Sequence, residues 1–132
     1  MPTKTVKDVM HVGLITCPVH TPIPEVARMM IKHDISAIVV TDESGHLAGL
    51  IARTDMIVLY GYQEMWPHLT AEQAMVTKVA TIAPNELATK AAQIMTERKY
   101  HRLIVTEMNG QGKEKPLGVV SMTDIVRDMS LV

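Results

Sequence analysis

The sequence predicts an α+β fold of two layers, built from two pseudo-symmetric copies of one β-α-β-β-α unit. Two observations lead to this fold class. The chain of 132 residues aligns with itself over nearly its whole length, and internal repeats of this kind indicate repeated structural units. Each copy also combines one helical period with two strand-like apolar runs, which is typical of a mixed fold.

The internal repeat keeps its order from end to end. At an offset of 65 residues Met10 matches Met75, and after the central turn an offset of 69 residues matches Gly49 with Gly118. Thr16 and Thr81 are matched in the same way. The repeat therefore divides the chain into a first copy at 1–62, a connector at 63–69 and a second copy at 70–132.

The elements of each copy follow from local patterns. In the first copy Val26, Met29, Met30 and His33 share one helical face, and the β-branched run that follows is typical of a buried strand. A turn then leads to a second strand, and a hydroxyl residue is predicted to cap a closing helix. The predicted strands are 37–41 and 47–52 in the first copy, and 103–106 and 117–121 in the second. The predicted N-caps are Thr54 and Thr123.

Charge and composition exclude several classes of partner. The formal net charge of −1 and the aromatic content of 3% argue against a nucleic-acid polymer, because such partners select basic surfaces and stacking platforms. No stretch approaches the roughly 18 apolar residues of a membrane span, so we expect no membrane partner. Cys17 is the only cysteine, which excludes an intrachain disulfide and favours a cytoplasmic location.

Short motifs that recur in a fixed order carry a family resemblance. Residues 5–10 read TVKDVM and residues 70–75 read TAEQAM, while residues 49–56 read GLIARTDM and residues 118–125 read GVVSMTDI. A basic pair precedes the second-copy strand in YHRLIV, residues 100–105. Over residues 5–130 this order resembles a tandem pair of cystathionine-β-synthase (CBS) domains, often called a Bateman module.

The resemblance implies that the two repeats pack through their sheets as a pseudo-twofold pair, with a cleft on each side. Family members bind AMP, ADP or ATP there as a regulatory ligand rather than a prosthetic group. No family residue is catalytic, so we expect the chain not to be an enzyme. The resemblance also implies a homodimer of two such pairs and control of another protein, which we expect to be a separate partner.

The residues themselves support a nucleotide site. Asp55 and Asp124 each follow a predicted strand, where a carboxylate can accept both ribose hydroxyls and a helix start favours phosphate. His101 and Arg102 supply donors that suit phosphate oxygens. The alternative is that each aspartate only stabilises its helix N-terminus and that the basic pair is solvated. The predicted ligand-binding residues are Asp55, Asp124, Thr54, Thr123, Ser121, His101, Arg102, Arg53, Ser36, Ala37, Thr16 and Thr81.

The two clefts are expected to differ. The first copy has Ser36 and Ala37 at the positions that His101 and Arg102 occupy in the second. We therefore expect AMP or ATP to bind one cleft more tightly than the other. By analogy with the family, the basic pair of one copy can serve the other copy's aspartate, which would join His101 and Arg102 to Asp55. The sequence leaves this pairing open.

The alternatives to a nucleotide sensor are a metal site, an enzyme and a module for protein interaction. His11, Cys17 and His20 are zinc-competent residue types, but their spacing matches no closed zinc signature, so we expect no metal. Asp55 and Asp124 would lie too far apart for paired-carboxylate catalysis. A ligand-free module for protein interaction or dimerisation is the main rival function, and S-adenosylmethionine or a cyclic dinucleotide is the alternative ligand.

Overall fold

A computed structural model describes residues 4–132, and these residues form two compact units. The first unit is Ile15–Lys78, and the second unit is Val79–Val132 together with the N-terminal segment that ends at Leu14. The elements in chain order are α1 (Val6–Val9), β1 (Thr16–Pro18), α2 (Ile23–His33), β2 (Ala37–Thr41), β3 (Leu47–Ala52), α3 (Arg53–Tyr62), a 3₁₀ helix (Trp66–His68), α4 (Ala71–Ala74), β4 (Thr81–Ile82), α5 (Ala88–Arg98), β5 (Arg102–Met108), β6 (Glu114–Ser121) and α6 (Met122–Met129).

The first unit has the predicted β-α-β-β-α order. Its sheet runs β1-β2-β3, with β1 parallel to β2 and β2 antiparallel to β3. Strand β2 is central and buried, which explains its β-branched composition. Helix α2 places Val26 and Met30 in the same core as Cys17 and Ile38, as its period predicts.

The second unit repeats this topology with the sheet order β4-β5-β6. Its core is built from Ile82, Ala91, Leu103 and Val120. Strand β6 is longer than the sequence predicted, because it begins at Glu114 and pairs with the extended end of β5. None of the helices in residues 4–132 is long and apolar enough to cross a bilayer.

The compact units and the sequence repeats differ in one respect. The short helix at the start of each repeat packs into the unit formed by the other repeat's strands. Val6 of α1 is fully buried with the second core, and its N–H donates to the carbonyl of Glu86 at 2.8 Å. Ala71 of α4 is equally buried in the first core, and its N–H donates to the carbonyl of Thr21 at 2.8 Å.

The segment after each short helix crosses the last strand of its unit beside a glycine of the repeated motif, Gly118 on β6 or Gly49 on β3. His11 and Val119 exchange two backbone hydrogen bonds of 3.0 and 3.1 Å, and Val76 and Leu50 exchange two of 2.9 Å. A Cβ atom on Gly118 would lie 2.5 Å from the carbonyl oxygen of His11. The motif glycine is therefore required because two backbones approach closely there.

Candidate functional site

Asp55 lies at the third position of α3, directly after β3 ends. Its Oδ2 accepts a hydrogen bond of 2.7 Å from the N–H of Ala52, which fixes the carboxylate at the helix start. The side chain is partly buried, and the described residues donate no second hydrogen bond to it. One carboxylate oxygen of Asp55 is thus held in place while acceptor capacity is left for a ligand.

The predicted N-caps Thr54 and Thr123 are wrong. Helix α3 begins at Arg53 with Ala52 as N-cap, and helix α6 begins at Met122 with Ser121 as N-cap. The reason is that each aspartate is the third helical residue and reaches back to the N-cap N–H, so the helix starts earlier. Thr54 and Thr123 instead lie in the first turn with exposed side chains.

Asp124 occupies the equivalent position in α6, but its surroundings are different. The residue is only 3% exposed. Its Oδ2 accepts from the Ser121 N–H at 2.8 Å and from the Ser121 hydroxyl at 3.0 Å. His11 Nδ1 lies 3.0 Å from Oδ2, and Arg127 Nη1 donates to Oδ1 at 3.0 Å. The Asp124 carboxylate is therefore already occupied by three side chains.

The electrostatics of Asp124 follow from these contacts. Burial raises the pKa of the Asp124 carboxyl, but the hydrogen bonds from the Ser121 N–H and hydroxyl, with the charge and hydrogen bond of His11, outweigh it. The pKa of Asp124 consequently lies below its ordinary value. The carboxylate form is the one that the fold stabilises.

Ser36, Ala37 and Arg53 lie at the same end of the first sheet as Asp55. Ala37 is opposite Ala52 in the ladder, and the Arg53 N–H donates to the Ser36 carbonyl at 2.9 Å. The Arg53 guanidinium is exposed, and its Nε donates to the Ile35 carbonyl at 3.1 Å. This edge offers a short hydroxyl, a small side chain and one cation beside Asp55.

His101 and Arg102 lie at the corresponding end of the second sheet. Arg102 is opposite Ser121 in the ladder, and the His101 carbonyl accepts the first N–H of α6, from Met122, at 3.0 Å. The structure therefore brings the basic pair, Ser121, Thr123 and Asp124 to one edge of the second unit. The predicted link between the basic pair and Asp55 joins residues of different units and stays a prediction.

Thr16 and Thr81 begin the first strand of their respective units. Thr16 is exposed at the start of β1, opposite Val39. Thr81 is partly buried, and its hydroxyl donates to Glu114 Oε1 at 3.2 Å. Thr81 also borders an open cavity of about 550 Å³ that is shared with Thr106 and Glu107.

Sequence reasoning missed His11 and Arg127 as neighbours of Asp124. It considered His11 only with Cys17 and His20 as metal ligands, whereas Cys17 is fully buried in the first core. Within residues 4–132, no three side chains of the metal-binding types cluster closely enough to hold an ion. The repeat offsets could have pointed to these two residues. Val76 and Val58 stand at the positions equivalent to His11 and Arg127, so the two copies differ at both positions.

Comparisons with known proteins bear on the repeat and on the fold. The family model of the CBS domain matches twice, at residues 6–61 and 71–131. Among curated proteins, the chain is 28% identical over 127 residues to the CBS domain-containing protein YhcV of Bacillus subtilis, covering 96% of this chain and 86% of YhcV. Some relatives carry enzyme names but are longer. The L-aspartate semialdehyde sulfurtransferase of Methanocaldococcus jannaschii is 27% identical over 126 residues, covering 96% of this chain and 23% of that protein.

A solved structure gives the same fold. The CBS domain pair of protein MJ0100, crystallised with 5′-methylthioadenosine and S-adenosyl-L-methionine, superposes with a TM-score of 0.82 at 26% identity, covering 98% of both chains. This likeness confirms the predicted α+β architecture of two β-α-β-β-α repeats. With two matches of the family model and a shared fold over its length, the chain belongs to the CBS domain family.

Proposed function

We propose that this protein is a regulatory CBS pair that binds an adenosine-containing nucleotide, AMP, ADP or ATP, and signals through a separate partner without chemistry of its own. The observation that carries the proposal is the Asp55 carboxylate. It is held at the start of α3 by one hydrogen bond of 2.7 Å and accepts no other from the described residues. It can accept ribose hydroxyls without losing an internal contact.

The energetics of such a site are adequate for a regulatory ligand. Hydrogen bonds to a charged carboxylate contribute about 1.5–3 kcal/mol each, and ribose presents two adjacent hydroxyls. The first turn of α3 also has backbone N–H groups without intrahelical partners, which favour phosphate. A few such contacts correspond to about micromolar binding.

The bound compounds of protein MJ0100 support the adenosine part of the proposal. Both 5′-methylthioadenosine and S-adenosyl-L-methionine contain an adenosyl group, and the CBS domain pair that binds them is 26% identical in sequence to this chain. The nucleoside is the group that these compounds share with AMP, ADP and ATP. Recognition of the ribose by an aspartate would therefore serve both kinds of ligand. The phosphate part of the proposal depends on His101 and Arg102, whose donors suit phosphate oxygens.

Titration calorimetry with AMP and 5′-methylthioadenosine separates the two parts. Both compounds carry the same ribose hydroxyls, but only AMP has a phosphate. Asp55→Asn is expected to weaken both compounds about tenfold or more. The double variant His101→Ala/Arg102→Ala is expected to weaken AMP alone. Equal loss of both compounds in the double variant contradicts the phosphate role.

The compounds bound to MJ0100 also favour a second candidate, an S-adenosylmethionine sensor. A thermal-shift panel of AMP, ADP, ATP, S-adenosylmethionine and a cyclic dinucleotide discriminates the candidates. A ligand at 100 times its Kd stabilises the fold by about 2.7 kcal/mol, which is a shift of several degrees for a domain of this size. No shift with any compound would instead support a ligand-free interaction module.

In this proposal the protein acts in the cytoplasm as a homodimer. Helix α6 supports the dimer because Met122, Val126 and Met129 form an exposed apolar stripe, with exposures of 52%, 62% and 66%. Light scattering on the purified chain tests this proposal, with Val126→Lys as the variant that should shift the mass towards the monomer. A monomeric wild-type protein would contradict it.

A further inference from the structure

The two repeat-equivalent aspartates are held in opposite ways. Asp124 is 3% exposed and its carboxylate contacts Ser121, His11 and Arg127, with distances of 2.8 to 3.2 Å. Asp55 is partly buried and, from residues 4–132, receives only the Ala52 N–H. An ionised carboxylate has about four acceptor positions, and those of Asp124 are already used.

The two aspartates hold equivalent positions in their helices, and the difference lies in three side chains. Ser121, whose hydroxyl donates to Asp124, stands where the first unit has Ala52, and the other two are His11 and Arg127. His11 is hydrogen-bonded to Val119 on β6 as Val76 is hydrogen-bonded to Leu50 on β3. The first unit therefore has a valine where the second has the imidazole. Arg127, three residues after Asp124, likewise corresponds to Val58, three residues after Asp55.

We propose that His11 and Arg127 form an intramolecular latch on Asp124, and that this latch makes the Asp55 edge the tighter of the two ligand sites. The inference rests on the proposed function, since it concerns the same ribose-binding carboxylates. A ribose that approaches Asp124 must displace two charge-assisted contacts, whereas one that approaches Asp55 displaces none. The latch thus lowers affinity at Asp124 by competition.

The latch is displaceable rather than permanent. The side chains of His11 and Arg127 are 56% and 64% exposed, although the carboxylate that they contact is 2% exposed. Each can rotate into solvent, where water replaces the lost hydrogen bond. His11 and Arg127 are consequently specificity-determining residues that set the affinity of one site without abolishing it.

Titration calorimetry of the full chain with AMP tests the latch. The wild-type protein is expected to show a tighter site that Asp55→Asn removes and a weaker site that Asp124→Asn removes. His11→Val/Arg127→Val, which installs the first unit's residues at these two positions and keeps Ser121, should strengthen the weaker site about tenfold and leave the tighter site unchanged. The reciprocal Val76→His should weaken the tighter site, and Val12→Ala is the neutral control.

The outcomes separate this inference from the proposed function. Two equal sites in the wild type, or an unchanged weaker site in His11→Val/Arg127→Val, overturn the latch and leave the nucleotide site intact. No binding to the wild type or to the double variant overturns the proposed function and the latch together. If the double variant does not fold, Arg127→Val alone provides the same test, with a smaller gain expected at the weaker site.

Discussion

The imidazole Nδ1 of His11 lies 3.0 Å from Oδ2 of Asp124, although 113 residues separate them in the chain. The contact exists because the segment after α1 crosses β6, where His11 and Val119 exchange backbone hydrogen bonds. The N-terminal segment therefore contributes a side chain to the candidate site of the second unit. A substitution of His11 or of Arg127 therefore alters the contacts of the same Asp124 carboxylate.

Replacing Gly118 is expected to destabilise the second unit. A Cβ there would lie 2.5 Å from the His11 carbonyl oxygen, and backbone cannot move aside as a flexible side chain can. We expect Gly118→Ala to lower the free energy of unfolding by about 1–3 kcal/mol, as overpacking does. Urea unfolding measures this change. Gly110→Ala is the control, since its Cβ meets nothing within 4 Å, and an equal loss in both variants would refute the explanation.

Helix α1 packs into the unit formed by the strands of the other repeat, so we expect it to stabilise residues that are far from it in sequence. Val6 is 0% exposed and packs with Leu103, Val105 and Val120. We expect Val6→Ala to cost about 1.5–3 kcal/mol of unfolding free energy, because it removes two buried methyl groups, worth about 0.8 kcal/mol each, and leaves a cavity. Hydrogen exchange should show faster exchange of the β5 amides than in the wild type.

The matched control for Val6 is Val12→Ala, because Val12 is 71% exposed. This control should leave both the unfolding midpoint and the exchange of β5 unchanged. Faster exchange confined to β2 in Val6→Ala would contradict the assignment of α1 to the second unit.

Asp124 should make the fold sensitive to acid. The pKa of Asp124 in the folded protein lies below its ordinary value, so the carboxylate stabilises the fold above that ordinary value. This stabilisation is lost as pH falls through the folded-state pKa. Unfolding free energies measured between about pH 5 and pH 2 should therefore fall less steeply in Asp124→Asn than in the wild type. The same slope in both proteins would show that the pKa of Asp124 is not shifted.

The Cys17 thiol should be unreactive in the folded protein. Cys17 is 0% exposed, and burial raises the pKa of its thiol, with a small opposing effect from Thr21. Because the thiolate is the reactive form, an aromatic disulfide reagent should label the native chain slowly and the urea-unfolded chain rapidly. Val12→Cys supplies an exposed thiol as the fast control. Rapid native labelling of Cys17 would mean that the first core opens readily.

The sequence predicted most of the fold, because the relevant signals are local. The β-branched run at 37–41 and the strand at 47–52 have the predicted bounds in the structure. The closing helices were predicted to start too late. The preceding threonines were taken as N-caps, whereas Asp55 and Asp124 lie inside the helix and bond back to an earlier N-cap residue. An adjacent threonine and aspartate are both acceptable near a helix start, and propensity alone does not decide between the two arrangements.

The twofold repeat, the order of its elements and the placement of an aspartate after each second strand could all be predicted from the residues alone. These features depend on spacing within a few residues, which is legible without coordinates. Long-range packing places α1 in the second unit and brings His11 and Arg127 onto Asp124, while Asp55 keeps acceptor capacity. Such contacts depend on which core buries Val6 and on where one backbone crosses another, and neither is encoded in the local pattern of residues.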